Sequence, residues 1–179
     1  GNVIMAGGAG TTEPTGYAHG GTAAAGVNFL ISTTSAKIDT RKTSAVGGNI
    51  IIRGKTSGAY SGIYTENIQF FGNNLTFDGE TGSTGTNDYA VRLGSTNVYN
   101  GTNLSQVIDV DNDLTITGVN TAASYTGKTL RTGANPRVYA DGNITINSSG
   151  ALNYTSNQTF LNINPGKTLS VNFDGTANF

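Results

Sequence analysis

The sequence predicts an all-β chain wound as a parallel coil, a β-solenoid, and three observations carry that expectation. A strand-and-turn phrase recurs as "GNNLTFDG", "DNDLTITG", "DGNITINSSG" and "GKTLSVNFDG", each time an apolar residue, a hydroxyl and an apolar residue before a polar turn. Its core segments begin at Ile50, Leu75, Leu114, Ile144 and Leu169, so successive starts lie 25, 39, 30 and 25 residues apart, and periods of this size in a strand-rich chain mark solenoids and propellers. No window holds apolar residues at helical spacing over three turns, and glycine and β-branched residues lower helix propensity nearly everywhere.

Composition sets the limits. The 179 residues suffice for one domain with a real core. Only 36% are apolar and 26 are glycine, but the net charge of -1 is not the high charge that accompanies disorder. Ten Lys plus Arg against eleven Asp plus Glu, with the cations scattered, argue against a nucleic-acid partner, which needs a concentrated positive field. The longest basic run, Arg41 and Lys42, reads as a solvated loop. No apolar run is long enough for a helix to span a membrane. Cysteine is absent, which removes disulfides, thiolate zinc sites and thiol nucleophiles and suits passage through an oxidising space. The opening at Gly1 and the stop at Phe179 read as the ends of a piece of a longer protein, with any targeting signal elsewhere.

Taken in order, residues 1–27 form a Gly/Ala-rich leading rung or loop with one apolar burst, "VIM", and residues 28–179 the solenoid segment. From Val27 the strands are "VNFLI", "AKIDT", "GGNIIIRG", "NIQFFG", "NNLTFDG", "YAVRL", "QVIDV", "DLTITG", "PRVYADG", "NITINSSG", "QTFLNI" and "KTLSVNFDG", most of them closed by Gly, Asn, Asp or Pro. Four have a partner just upstream across a corner of a few residues, such as "IQFF" before "NNLTF". Such a corner reverses the chain in a hairpin, but in a coil it bends the chain onto the next face, and similar phrases stack about 4.8 Å apart. Stacking demands like residues at like places. Leu75 and Phe77, Leu114 and Ile116, Ile144 and Ile146, and Leu169 and Val171 supply inward rows, while Thr76, Thr115, Thr145 and Ser170 form an outward row. The extra residues of the longer periods fall in polar stretches, "ETGSTGTND" and "VNTAASYTG", which emerge as side loops. A propeller would carry blade signatures rich in Trp or His, and this chain has no Trp and one His. About 25 residues per rung allow six or seven coils and a rod on the order of 30 Å long.

At "VGGNIIIRGKTSGAYSGIY", "GNNLTFDGETG", "DGNITINSSGALN" and "NPGKTLSVNFDG" the chain resembles the passengers of type V secreted proteins, the filamentous-haemagglutinin-like and high-molecular-weight two-partner-secretion adhesins and autotransporters. The resemblance covers roughly residues 27–179 and implies a right-handed parallel β-helix. It further implies an extracellular or bacterial cell-surface location, an outer-membrane transporter as secretion partner, and virulence-associated attachment to a host-cell glycan or protein. The chain departs from the family in lacking an Asn-Pro-Asn-Leu type of secretion signature, since "ANPRVY" and "INPGK" are isolated Asn-Pro corners, so the secretion route stays open.

Chemistry-bearing residues are few. Asp109, Asp111 and Asp113 share one face if their strand is unbroken, and an oxygen-rich cluster of that kind suits Ca²⁺. The EF-hand pattern fails, because Leu114 and Asn120 stand where Gly and Glu are required, and a bend at Asn112 would splay the carboxylates as a structural corner. No other cofactor is expected. A β-helical polysaccharide-degrading enzyme could join the aspartates to Lys128 or Arg137, but Glu13, Glu66 and Glu80 fall in separate repeats, so a non-enzyme is the expectation. His19, between "GYA" and "GG", reads as a loop histidine, and Arg53 to Lys55 as a strand end. Only Thr115 and Thr117 pair on a repeated strand, which is too irregular for an ice-ordering face. Asn-x-Ser/Thr sequons begin at Asn74, Asn100, Asn103, Asn143, Asn147, Asn153 and Asn157, and the family resemblance makes them possible glycosylation sites. Binding is expected on loops and exposed aromatics, namely Tyr60, Tyr64, Tyr89 and Tyr125, because tyrosine stacks on sugars and donates a hydrogen bond. The alternative is a purely structural stalk of a large exoprotein.

Overall fold

The computed structural model describes residues 1–6, 16–20, 24–30, 36–41, 47–58, 60–85, 88–94, 107–122, 128–132, 137–149, 151–154, 160–163, 165–173 and 177–178. Among them there is no helix. The strands are β1 (Val3–Met5), β2 (Ala18–Gly20), β3 (Val27–Leu30), β4 (Ala36–Asp39), β5 (Ile50–Thr56), β6 (Ile63–Glu66), β7 (Ile68–Gly72), β8 (Leu75–Thr81) and β9 (Val91–Leu93). The second half adds β10 (Val107–Val110), β11 (Leu114–Asn120), β12 (Lys128–Thr132), β13 (Arg137–Ala140), β14 (Ile144–Ser149), β15 (Ala151–Tyr154), β16 (Phe160–Ile163), β17 (Leu169–Phe173) and β18 (Ala177–Asn178).

These strands make three sheets, and the chain visits them in rotation. Sheet A runs β1-β5-β8-β11-β14-β17, with β2 also on β5; sheet B runs β3-β6-β9-β12-β15-β18; sheet C runs β4-β7-β10-β13-β16. Every pairing is parallel. Each strand pairs with the strand one full circuit later in the same sheet, so the corners bend the chain and do not fold it back. Sheet A is six rungs deep along its main path, about 24 Å at the usual strand spacing. β1 and β2 lie end to end along β5, so together they make a split first rung of sheet A ahead of β3.

Register explains the repeated phrase. Ile50, Leu75, Leu114, Ile144 and Leu169 stand over one another, as do Ile52, Phe77, Ile116, Ile146 and Val171. Between them Ile51, Thr76, Thr115, Thr145 and Ser170 make the outward row, four hydroxyls beyond one isoleucine. Strand side chains alternate across the sheet, so with one face on the core and the other on solvent the chain must alternate apolar and polar. Sheet B adds Ile63, Val91 and Leu93 to the interior, and sheet C adds Ile68, Phe70, Ile108, Val110, Val138 and Ala140, all essentially inaccessible to solvent. Phe70 of sheet C ties the three walls together, its ring edge-on to Phe29 of sheet B at 6.1 Å and to Phe77 of sheet A at 5.3 Å.

The corners differ by type. From sheet C to sheet A only Asn73 and Asn74 separate β7 from β8, and Asp111–Asp113 separate β10 from β11. Passing from B to C, the second coil turns on one residue, Asn67, at φ 55°, and the third leaves β9 through Gly94 at φ 83°, left-handed conformations that Asn tolerates and Gly adopts freely. The longer insertions lie between A and B, as in 82–90 and 121–127, and also between B and C, where 94–106 separate β9 from β10. The longer connections therefore fall at two of the three corners of the circuit. At the A-to-B corner the inward position of sheet A is Gly54, Gly79, Gly118 and Ser148 in register. A Cβ on Gly79 would stand 2.1 Å from the carbonyl oxygen of Ala90, so the close return of the chain requires glycine there.

Candidate functional site

Sheet A presents the broadest described outer surface, and its two ends differ in chemistry. Toward the amino-terminal coils the second outward column begins with Arg53 over Asp78, with Nε 3.5 Å from Oδ2. One step along the strands, Lys55 is ion-paired with Glu80. Tyr17 donates its hydroxyl hydrogen to Asp78 Oδ1 at 3.0 Å. Burial, then the hydrogen bond and charge of Asp78, push the Tyr17 phenol up to about 12. The charges of this half are thus matched against one another.

Beyond them the same columns become uncharged. Asp78 is followed by Thr117, Asn147 and Asn172, and Glu80 by Val119 and Ser149. Thr117, Gly118, Val119, Asn147, Ser148, Ser149 and Asn172 line a groove of about 290 Å³. Within it Asn172 Nδ2 donates to Asn147 Oδ1 at 3.0 Å, and Ser149 Oγ accepts from the Asn120 amide at 3.1 Å. These bonds hold two side chains in place while leaving the Asn147 amide hydrogens, the Ser149 hydroxyl hydrogen and the Asn172 carbonyl oxygen for a ligand.

The residues expected from sequence to bind distribute differently. Tyr60, at the A-to-B corner of the second coil, is 46% exposed, the most accessible of the three that are described. Tyr64 faces outward from β6 but lies under Arg92, whose guanidinium carbon is 4.3 Å from the ring centroid, and donates to Glu66 Oε2 at 2.8 Å. Tyr89 is corrected outright: it is 1% exposed, and its backbone bonds to Ser61 Oγ and to the Gly62 amide draw it inward. Beside it, Ser83 Oγ donates to Asp88 Oδ2 at 2.7 Å. Tyr125 lies outside the described residues.

The aspartate cluster does not form on one face. β10 ends at Val110 and the chain bends at Asp111 and Asn112 before β11. Arg41, expected as a solvated loop residue, reaches two coils along sheet C to bind two of the three aspartates. Its Nη2 donates to Asp109 Oδ1 at 2.6 Å and to the Asp109 carbonyl at 2.7 Å, and stands 3.2 Å from Asp111 Oδ1. On the way the guanidinium covers the Phe71 ring at 5.3 Å, and Asp109 strengthens its hold on its proton. Asp113 instead accepts the Asn143 amide on Oδ1 at 2.7 Å. A guanidinium supplies the counter-charge of Asp109 and Asp111, and among the described residues no three acidic or histidine side chains gather as a metal site. Lys128 and Arg137 start β12 and β13, and their side chains lie outside the described residues. His19 is in β2, exposed and opposite Lys55, rather than in a loop.

Two of the sequons belong to a side-chain ladder. Asn2 Oδ1 accepts the Asn49 amide at 2.9 Å, Asn49 Oδ1 accepts Asn74 Nδ2 at 2.9 Å, and Asn74 Oδ1 accepts the Asp113 amide at 3.0 Å. Asp113 then accepts from Asn143, and Asn143 Oδ1 accepts the Thr168 amide at 3.1 Å. The ladder follows the residue just before each sheet A strand through every rung. Asn74 thereby uses both ends of its amide, and a glycan, which replaces one of the two Nδ2 hydrogens, would have to fit beside the bond to Asn49. Asn143 is exposed, and Asn147 lies in the groove. Only the backbone of Asn153 is described, and Asn100, Asn103 and Asn157 fall outside the described residues. The signal for the ladder was in the sequence, as a short polar residue, Asn or Asp in all but one rung, directly ahead of the apolar phrase.

Comparison of the chain with protein-family models, with curated proteins and with solved structures finds no match. Among the described residues no helix is long and apolar enough to cross a membrane.

Proposed function

We propose that this chain is a segment of a secreted or surface-displayed bacterial adhesin, a right-handed parallel β-helix that acts without catalysis by projecting and attaching to a host-cell glycan or protein, after export through an outer-membrane transporter. The observation that supports it is the in-register stacking of the three parallel sheets. A coil whose every rung covers the one before can lengthen without changing its cross-section, which suits a projecting rod. Its side walls and corner loops stay free to carry recognition, and Tyr60 stands on one such corner.

Attachment tests the reading. Beads coated with the purified chain are expected to adhere to cultured epithelial cells, and Tyr60→Ser or shortening of 121–127 should reduce the bound fraction while the far-UV spectrum keeps its β signature. Beads that never adhere, carrying folded protein, would leave a stalk that holds recognition elsewhere and would remove the adhesive reading.

A further inference from the structure

The geometry points to the uncharged groove of sheet A as a binding site for a neutral oligosaccharide, laid across the rungs β11, β14 and β17. This deepens the adhesive reading by naming a ligand class and a site, and rests on that reading for its biological role, although the binding itself can be measured alone. Four features select the ligand. The lining carries no ionisable side chain, while every described charge of the amino-terminal half of this face that is within reach, Arg53 with Asp78 and Lys55 with Glu80, is matched within that half. An ionic ligand therefore finds no counter-charge in the groove, and a phosphate, sulfate or uronate would lose its hydration without compensation.

Second, the available groups are of both kinds. Asn147 offers amide hydrogens, Thr117 and Ser149 offer hydroxyls, and Asn172 offers a carbonyl oxygen, the mixture that sugar hydroxyls need because each both donates and accepts. Third, Val119 and the Thr117 methyl place an apolar patch beside these groups, fit for the C–H face of a pyranose ring. Fourth, the groups repeat from rung to rung, about 4.8 Å apart, which is close to the advance of one pyranose unit along a linear glycan. The side chains are also pre-positioned, Asn147 by Asn172 and Ser149 by the Asn120 amide, so little ordering entropy is lost on binding.

The test is a titration of the isotopically labelled chain, followed by amide nuclear magnetic resonance, with neutral hexasaccharides of glucose and of mannose, and with an oligogalacturonate of equal length as the acidic probe. At least one neutral sugar is expected to shift the amides of Thr117, Val119, Asn147, Ser149 and Asn172. Asn147→Leu should weaken that binding about tenfold, the loss of one or two hydrogen bonds, whereas Thr76→Val, on the same face outside the groove, should leave it unchanged. No shift with either neutral sugar, tighter binding of the oligogalacturonate, or equal weakening by both substitutions would overturn the site. The two readings fail separately: a groove that binds sugar on beads that do not hold cells keeps the site and removes the adhesive role, and beads that hold cells without any sugar shift do the reverse.

Discussion

Tyr17 and Asp78 are separated by 61 residues, yet the phenol hydrogen bond between them places the leading stretch against the third coil of sheet A. Because burial and the neighbouring carboxylate disfavour the phenolate, the folded chain holds this proton to a higher pH, about 12, than the ordinary tyrosine value of 10.0. The sign of the linkage follows. Below pH 10.0 the contribution is fully present; between 10.0 and about 12 the unfolded chain loses its proton first, and stability falls as pH rises. Tyr17→Phe should flatten this part of the stability-against-pH curve, measured by urea unfolding across the alkaline range, and an unchanged slope would mean that Tyr17 is as free to ionise in the folded chain as in the unfolded one. At the same scale Tyr89 illustrates why an aromatic beside a polar loop is ambiguous. Its neighbours Asp88 and Ala90 gave no periodic cue, and its burial is decided by backbone bonds to Ser61 and Gly62 in the preceding coil.

At the scale of elements, the corner from sheet C to sheet A is doubly tied, because backbone bonds run from coil to coil through it and short polar side chains accept the backbone N–H that those bonds leave over, at Asn49, Asp113, Asn143 and Thr168. Asn74 is partly buried and engaged at both ends of its amide, whereas Asn143 is exposed and water can replace its partner. Asn74→Leu should therefore cost about 1–3 kcal/mol, the penalty of stranding the Asp113 amide. Asn143→Leu should cost less. Chemical denaturation of the two variants checks the order, and equal losses would show that the ladder is no stronger where it is buried. Sheet C has a comparable joint in Arg41, which spans the Phe71 rung to reach Asp109. Both groups remain about a third exposed, so solvent screening limits what the pair adds to stability, and its role is to fix the first coil's corner against the third.

Over the whole molecule, each coil touches chiefly the coils before and after it, so stability is shared between neighbours and weakest at the ends. β8 and β11 are paired along both edges, while β17 has β14 on one edge, and Leu169 is 38% exposed although the residues beneath it in its row are fully buried. Hydrogen exchange is expected to be slowest in β8 and β11 and to quicken toward β17 and β18. A uniform rate across all rungs would instead mark one cooperative unit with no fraying of the stack. The same nearest-neighbour logic makes the outer wall divisible: a charged half and an uncharged half follow one another along sheet A because each rung can change its outward residues without disturbing the inward rows.

Much of this architecture was legible before any coordinates. The alternation in "NNLTFDG" and its counterparts specifies which side chains enter the interior, and equal residues at equal places predict that they stack, because strand periodicity and rung-to-rung contact both act over short distances of chain or at a fixed repeat. What the tertiary structure alone decided are the encounters with no period to announce them. Arg41 meets Asp109 across 68 residues, Tyr17 meets Asp78, and Tyr89 turns inward. Each joins a residue outside the repeated phrase to another coil, and the contact follows from closing the circuit in three dimensions, where packing and backbone hydrogen bonds over the whole coil choose among alternatives that local sequence leaves equal.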